Sequence, residues 1–455
     1  MRRHRIARAA FLCAAAALAA SCAGVRYRYG SDGEIAGLLA KPAAEYPAAR
    51  FAVFSDPHLY DTALGTEGKA FKDYMDNDRK LLPESGALLD AAIAEVEGLG
   101  AGFLLIPGDL TKDGERQNHL LMAQRLAELA RKGIRTFVVP GNHDINNPKA
   151  MSYGIEGAAR VPNVTPEEFA EIYGDCGYRE ALFRDPGSLS YVAEPVPGLW
   201  LLAVDSANYA ENAGKASPVT GSGLTQARLD WIESMLAEAV RQGKAVLAMM
   251  HHGVVEHYKG QEKYFKEYLV TGWQQFSDML AAYNVRVAFT GHNHAQDITR
   301  KTAAGGKFIY DVETGSLVSH PDPVRGVEIL PSQQMTIDSS FVAALPAQGG
   351  DFPAYSRSFF HEKVVLVAIK TMNGLGVPNA ESETLAPQIG DAFTAHAAGD
   401  ERFTGTEMLK LSGLSLMGSV IVGDRKDLVT GLWNDLPPVD NALAIDLGTG
   451  AWTPR

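Results

Sequence analysis

Six short apolar runs punctuate the first two thirds of the chain: RFAVFS, GFLLIPG, RTFVVPG, LWLLAVDS, KAVLAMMHH and VRVAFTGH. Each has the length of a strand and is close to continuously apolar, as expected of a strand buried inside a layered fold. Between them lie LLDAAIAEVEGLG, ERQNHLLMAQRLAELARKG, TQARLDWIESMLAEAVRQG and GWQQFSDMLAAYN, with apolar residues at helical spacing and several closing on Gly. Strand and helix in alternation predict an α/β fold with largely parallel pairing and right-handed crossovers.

Two segments break this rhythm. Residues 146–190 are rich in Gly, Pro and aromatics and are long enough to form a cap over one edge of the fold. After LPAQGGDFP the β character fades, so the α/β domain is expected to span 51–345 and a small helical C-terminal domain 351–455. His361 and His396 stand isolated in that region and read as structural or surface residues.

The chain opens MRRHRIARAAFLCAAAALAASCAG, a basic start, an apolar run from Ala9 to Ala20, then small residues. That is the layout of an export signal, and the run is shorter than the roughly 20 residues a spanning helix needs. LAASC resembles the lipobox of bacterial lipoproteins, in which Cys22 would be acylated and become the mature N-terminus; a plain cleaved signal peptide is the other reading. The expectation is an exported protein with signal 1–21 and a tether over 22–50, meeting a membrane only through a lipid anchor on Cys22. Removing Arg2, Arg3, Arg5 and Arg8 takes the formal charge from −12 to −16. So acidic a surface repels polyanions, and a nucleic-acid polymer is not an expected partner. With the signal gone only Cys22 and Cys176 remain, so an acylated Cys22 leaves no intramolecular disulfide.

The residues that follow each strand change the picture. FSDPHL supplies Asp56 and His58, IPGDLT Asp109, and VPGNHDIN Asn142, His143 and Asp144. MMHHG supplies His251 and His252, and TGHNH His292 and His294. Five strand ends thus finish in oxygen or imidazole donors, and an open α/β fold gathers a site from its strand termini. Imidazoles mixed with carboxylates and an amide oxygen suit Zn, Fe, Mn or Co, and the donors are too many for one tetrahedral ion. Two divalent ions roughly 4 Å apart, bridged by one carboxylate, are the natural count. Such a pair attracts a tetrahedral oxyanion, lowers the pKa of a bridging water and stabilises both oxygens of an in-line displacement. Phosphoester hydrolysis has those requirements. Glycines before Asp109, Asn142 and His292 leave room for metal and substrate.

The ordered series D-x-H, G-D, G-N-H-D, H-H and G-H-x-H resembles the calcineurin-like metallophosphoesterase superfamily over residues 51–320. The resemblance implies a four-layer α/β/β/α sandwich with a dinuclear centre. It places Asp56, His58 and His294 on one metal, Asn142, His251 and His292 on the other, and Asp109 between them. It also implies that His143 acts near the leaving group, that Asp144 orients it, and that His252 stands behind the ligands. Gly253 follows the paired histidines where many members have Pro. GDLTKDGE and YDVETGSLVSHPDP resemble a bacterial exported subgroup related to cyclic-nucleotide phosphodiesterases, which implies a small phosphoester substrate, a diester before a monoester.

HHGVVEHYKG invites a zinc-peptidase reading through His252, Glu256 and His257, but its spacing has one residue too many and it starts at a strand end. A metal-binding scaffold without turnover is the non-enzymatic alternative. Specificity is expected from the 146–190 segment and neighbouring loops, where Asn146, Asn147, Tyr153, Arg160, Tyr178, His257, Tyr258 and His320 are available.

Overall fold

The computed structural model describes residues 25–399, 401–402, 404–405 and 409–455. The export signal and Cys22 lie outside the described residues. Among the described residues no helix is long and apolar enough to cross a membrane.

Two seven-stranded sheets form the frame. The first runs, in spatial order, Trp452–Pro454, Ala442–Asp446, Gln334–Phe341, Pro323–Ile329, Ala49–Val53, Phe103–Ile106 and Arg135–Val138. The second runs Asp297–Thr302, Phe308–Glu313, Val287–Thr290, Ala245–Met250, Leu199–Val204, Tyr191–Val196 and Phe183–Arg184. In the second sheet pairing is parallel at the centre and antiparallel at both margins, whereas in the first Ala49–Val53, Phe103–Ile106 and Arg135–Val138 pair in parallel at one end and all other pairs are antiparallel.

Strand alternation builds the layers. Leu199, Leu201 and Ala203 enter the core between the sheets, whereas Trp200, Leu202 and Val204 face a second core under the helices Gln226–Gln242 and Trp273–Ala282. Ala245, Leu247 and Met249 divide from Val246, Ala248 and Met250 in the same way. Successive side chains point to opposite faces, so a continuously apolar strand must be covered on both. On the other side Leu88, Leu89 and Val96 of Ser85–Gly98 and Met122, Leu126 and Leu129 of Arg116–Arg131 cover the first sheet. The result is the expected α/β/β/α sandwich, with a helical region near the C-terminus.

The structure corrects three boundaries. Of the expected tether over 22–50, the described residues 25–50 are packed onto the domain: Ile35 and Leu38 of the helix Gly33–Leu39 enter the outer core, and the Tyr46 hydroxyl donates to Val246 O at 2.9 Å. The 146–190 segment is no detached cap, because its Val164, Phe169, Tyr173 and Tyr178 are part of the main core. Beyond the helices Phe352–Gly374, Asn379–Ala398, Leu416–Gly423 and Lys426–Leu432, the chain returns as the two edge strands Ala442–Asp446 and Trp452–Pro454. The helical region is therefore an insertion into the margin of the first sheet, tied down at both ends.

Candidate metal centre

The ligand loops leave the carboxyl ends of the parallel strands in both sheets, and their backbone is under strain. Asp56, His58, Asp109, His292 and His294 have positive φ, at 49, 36, 47, 79 and 64°. Residues with a Cβ enter this region at a cost on the order of 1 kcal/mol or more each. Five of the nine such described residues are predicted ligands, so the strain concentrates at the site.

Gly291 shows why a residue without a Cβ is needed beside them. A Cβ there would lie 2.1 Å from Ser55 Oγ and 2.3 Å from Asp56 Oδ2. Replacing Gly291 by Ala is expected to displace Asp56, lower the melting free energy by about 2 kcal/mol, and reduce bound metal; elemental analysis beside thermal unfolding checks both.

The predicted ligands converge as two groups that share one carboxylate. Asp56, His58, Asp109 and His294 each offer a donor atom within 4.8 Å of the others, and so do Asp109, His251 and His292. Asp109 Oδ2 lies 3.6 Å from His58 Nε2 and 3.5 Å from His251 Nε2, while its Oδ1 accepts the His143 N–H at 2.8 Å. Asn142 Oδ1 stands 3.1 Å from His251 Nε2. On the other side His58 Nε2 and His294 Nε2 face each other at 3.1 Å, with Asp56 Oδ1 3.4 Å from His294.

These donors fit metal ions, because lone pairs meet where protons are scarce. Asp56 Oδ1 and His292 Nε2 are buried without a hydrogen-bond partner. His251 Nδ1 donates to Pro107 O at 2.9 Å, which turns the Nε2 lone pair toward Asn142 and Asp109. Burial pushes His251 down, yet the Asp109 carboxylate outweighs it and raises the imidazole to about 9. Burial likewise pushes Asp109 up, but His251, His143 and His58 hold it well below the ordinary carboxylate range. Positive charge is what this set of acceptors demands.

His143 reaches the same space from the first group. Its ring packs edge-on against His58 at 4.9 Å and its side chain keeps 23% exposure, which leaves it open to a ligand. Nδ1 lies 2.8 Å from Lys112 O and 3.0 Å from Asp113 Oδ1. Burial lowers the His143 pKa, but the carboxylates of Asp109 and Asp113 more than compensate and raise it. Asp113 is itself buried, and Lys112 and His143 overcome burial to keep it charged.

Asp144 does not orient His143, contrary to expectation. Its carboxylate accepts the N–H groups of Leu110, Thr111 and Gly141 and the Thr111 hydroxyl, at 2.9 to 3.1 Å, and so clamps the Asp109 loop to the Asn142 loop. Burial and the Asp109 charge push it up to about 7 against those donors. Asp113 carries the positioning role instead. His252 has both ring nitrogens committed, Nδ1 to Ser206 Oγ at 2.8 Å and Nε2 to Thr220 O at 2.9 Å. Burial and His251 push it down to about 3, and its ring packs tilted against His292 at 4.5 Å between centroids. It buttresses a ligand and offers no free atom for catalysis.

A cavity of about 520 Å³ opens directly over the donors. Asp109, Asn142, His143, His292 and His294 form its floor, and Arg79, Lys80 and Tyr268 stand beside them. Lys80 is buried and 3.2 Å from Asp78. The Arg79 guanidinium has no carboxylate partner among the described residues and lies 5.8 Å from the Phe360 ring. No residue of 146–190 lines the cavity; its roof comes from the C-terminal helices. Asn147 donates to His143 O, Tyr178 is in the core, and His257 is buried between Asp297, Asp311 and Glu313. That burial also removes the zinc-peptidase reading. His396 is not isolated but buried, 2.7 Å from Glu401. Sequence reasoning missed Arg79, Lys80, Asp113 and Tyr268. Asp113 was within sight, four residues after a ligand in GDLTKD, whereas Arg79 and Lys80 lie in a loop far from every motif.

A family model described as calcineurin-like phosphoesterase matches residues 49–296. No curated protein sequence matches the chain. A dimetal phosphatase from Danio rerio shares 14% identity at a TM-score of 0.45, over 65% of this chain and 97% of that one. A purple acid phosphatase from yellow lupin seeds shares 14% at 0.38, over 68% of this chain and 54% of its own. The protein described as the anchor in the inner membrane complex of Plasmodium shares 10% at 0.37, over 67% and 88% respectively.

Proposed function

The chain belongs to the calcineurin-like phosphoesterase family, and on that premise we propose that it hydrolyses phosphoesters at a centre of two divalent ions, phosphodiesters in preference to monoesters. The observation that carries this reading is Asp109, one carboxylate within ligand reach of both donor groups. Asp56, His58, Asp109 and His294 would hold one ion, and Asp109, Asn142, His251 and His292 the other. When bound, such a pair supplies Lewis acidity and an activated water nucleophile.

The remaining residues position and protonate. His143, with Nδ1 fixed by Asp113 and the Lys112 carbonyl, turns Nε2 toward the cavity and donates a proton to the leaving oxygen. Arg79 and Lys80 bring positive charge to the cavity floor and orient the anion. A cavity that continues away from the ligands has space for the second ester group of a diester. Replacing Arg79 by Ala is expected to raise KM about tenfold with a smaller change in kcat, since one charged hydrogen bond contributes about 1.5 to 3 kcal/mol; steady-state kinetics on one diester separates the two.

The test is hydrolysis of bis(p-nitrophenyl) phosphate and p-nitrophenyl phosphate by metal-stripped protein reloaded with Mn, Zn, Fe or Co. Metal-dependent release, faster from the diester, supports the reading. Release faster from the monoester would reverse the preference, and no release with two ions bound would favour the scaffold alternative.

A further inference from the structure

The roof of the cavity bears on what else the substrate carries. Val364, Val367, Ala368 and Met372 of Phe352–Gly374 line one wall, and Ile389 and Phe393 of Asn379–Ala398 another. Ile421 and Val422 of Leu416–Gly423, with Leu428 and Val429 of Lys426–Leu432, close the far side. At about 520 Å³ the space is of the size that holds a drug-sized ligand, several times what a phosphate group needs. Arg79, Lys80 and His143 lie at the end nearest the metal ligands, and in the helical lining only Lys363, paired with Asp76 at 3.2 Å, and Arg425 carry charge among the apolar residues. Apolar surface also runs out past the rim: Leu416, Met417 and Val420 are 85, 60 and 62% exposed on the helix that supplies Ile421 and Val422. A nucleotide or sugar phosphate would leave these walls wet and its own hydroxyls unmatched.

Resting on the phosphoesterase reading, we propose that the substrate is an amphiphile, a phosphoester whose head sits on the metal centre while an alkyl or acyl chain lies between the C-terminal helices. Each methylene transferred from water to such walls strengthens binding by about fourfold at full burial. The helical region is then the specificity element, and it holds its walls against the centre through contacts such as Gln296 N–H donating to Ala397 O at 3.2 Å.

The test uses the full chain loaded with metal and two measurements. The first is kcat/KM for p-nitrophenyl phosphodiesters whose second ester group is methyl, butyl or octyl, each below its micelle concentration. The second is calorimetric binding of methylphosphonate and dodecylphosphonate, which requires no turnover. A rise of roughly 100-fold or more from methyl to octyl, with dodecylphosphonate binding tighter by a similar factor, supports the proposal. The gain should collapse in both Val367→Glu and Ile421→Glu, one on each wall, with folding checked by thermal unfolding. Turnover with no dependence on chain length overturns the amphiphile and leaves the hydrolase standing. Chain-length dependence in binding with no turnover on any ester keeps the apolar site and overturns the hydrolase. Neither effect overturns both.

Discussion

Asp109→Asn is expected to abolish measurable turnover, with kcat/KM on a phosphodiester lower by about 10⁴-fold, and to leave fewer than one ion per chain. The reason is the position of Oδ2, 3.6 Å from His58 Nε2 and 3.5 Å from His251 Nε2, so that a single oxygen serves both donor groups. An amide keeps the shape and can still accept the His143 N–H through its oxygen. It removes the negative charge that balances two dications and that holds His251 protonated or metal-bound. Elemental analysis after gel filtration, beside the kinetics, measures both consequences. Near wild-type rate with full metal content would end the bridging assignment.

His143→Ala is expected to behave differently, keeping two ions per chain while kcat falls by about 10²- to 10⁴-fold. None of its ring atoms is needed by the two donor groups. The loss should grow with the pKa of the leaving alcohol, because a p-nitrophenolate departs without a proton and an alkoxide does not. Asp113→Asn is a more delicate variant of the same test. Asp113 faces His143 Nδ1 at 3.0 Å and helps keep the imidazole protonated, so its amide should move the fall of activity at high pH to lower pH without removing the ring. A slope against leaving-group pKa that is unchanged in His143→Ala would remove the proton-donor role.

How much of this was legible in the chain follows from the physics of each part. The strand ends were readable because a buried parallel strand must finish in a loop, and a loop of Asp, Asn and His after Gly has no folding advantage to explain it. The alternation of Leu199 to Val204 between two cores was implicit in a run with no polar position. The cap was misplaced for a related reason. Phe169, Tyr173 and Tyr178 look the same in sequence whether they fill a cap or the main core, and here they fill the core. Val364, Met372 and Val429 pose the converse problem, since apolar positions on a helix do not say whether they meet protein or an open cavity. Asp144 reads as the orienting carboxylate because it adjoins His143 in sequence, whereas the carboxylate that meets the ring is Asp113, 30 residues earlier, and only the fold brings it there. Strand 442–446 pairs with 334–338, about a hundred residues earlier, a register no local pattern encodes, and 452–454 then adds to it as the edge.

Titrating metal-stripped protein with Mn, Zn, Fe or Co while following hydrolysis of bis(p-nitrophenyl) phosphate and bound metal in the same sample addresses the dinuclear claim most directly. Two ions should bind per chain, and activity should rise with occupancy of the second. Full activity at one ion per chain, or activity untouched by stripping, would contradict a centre built on a shared Asp109.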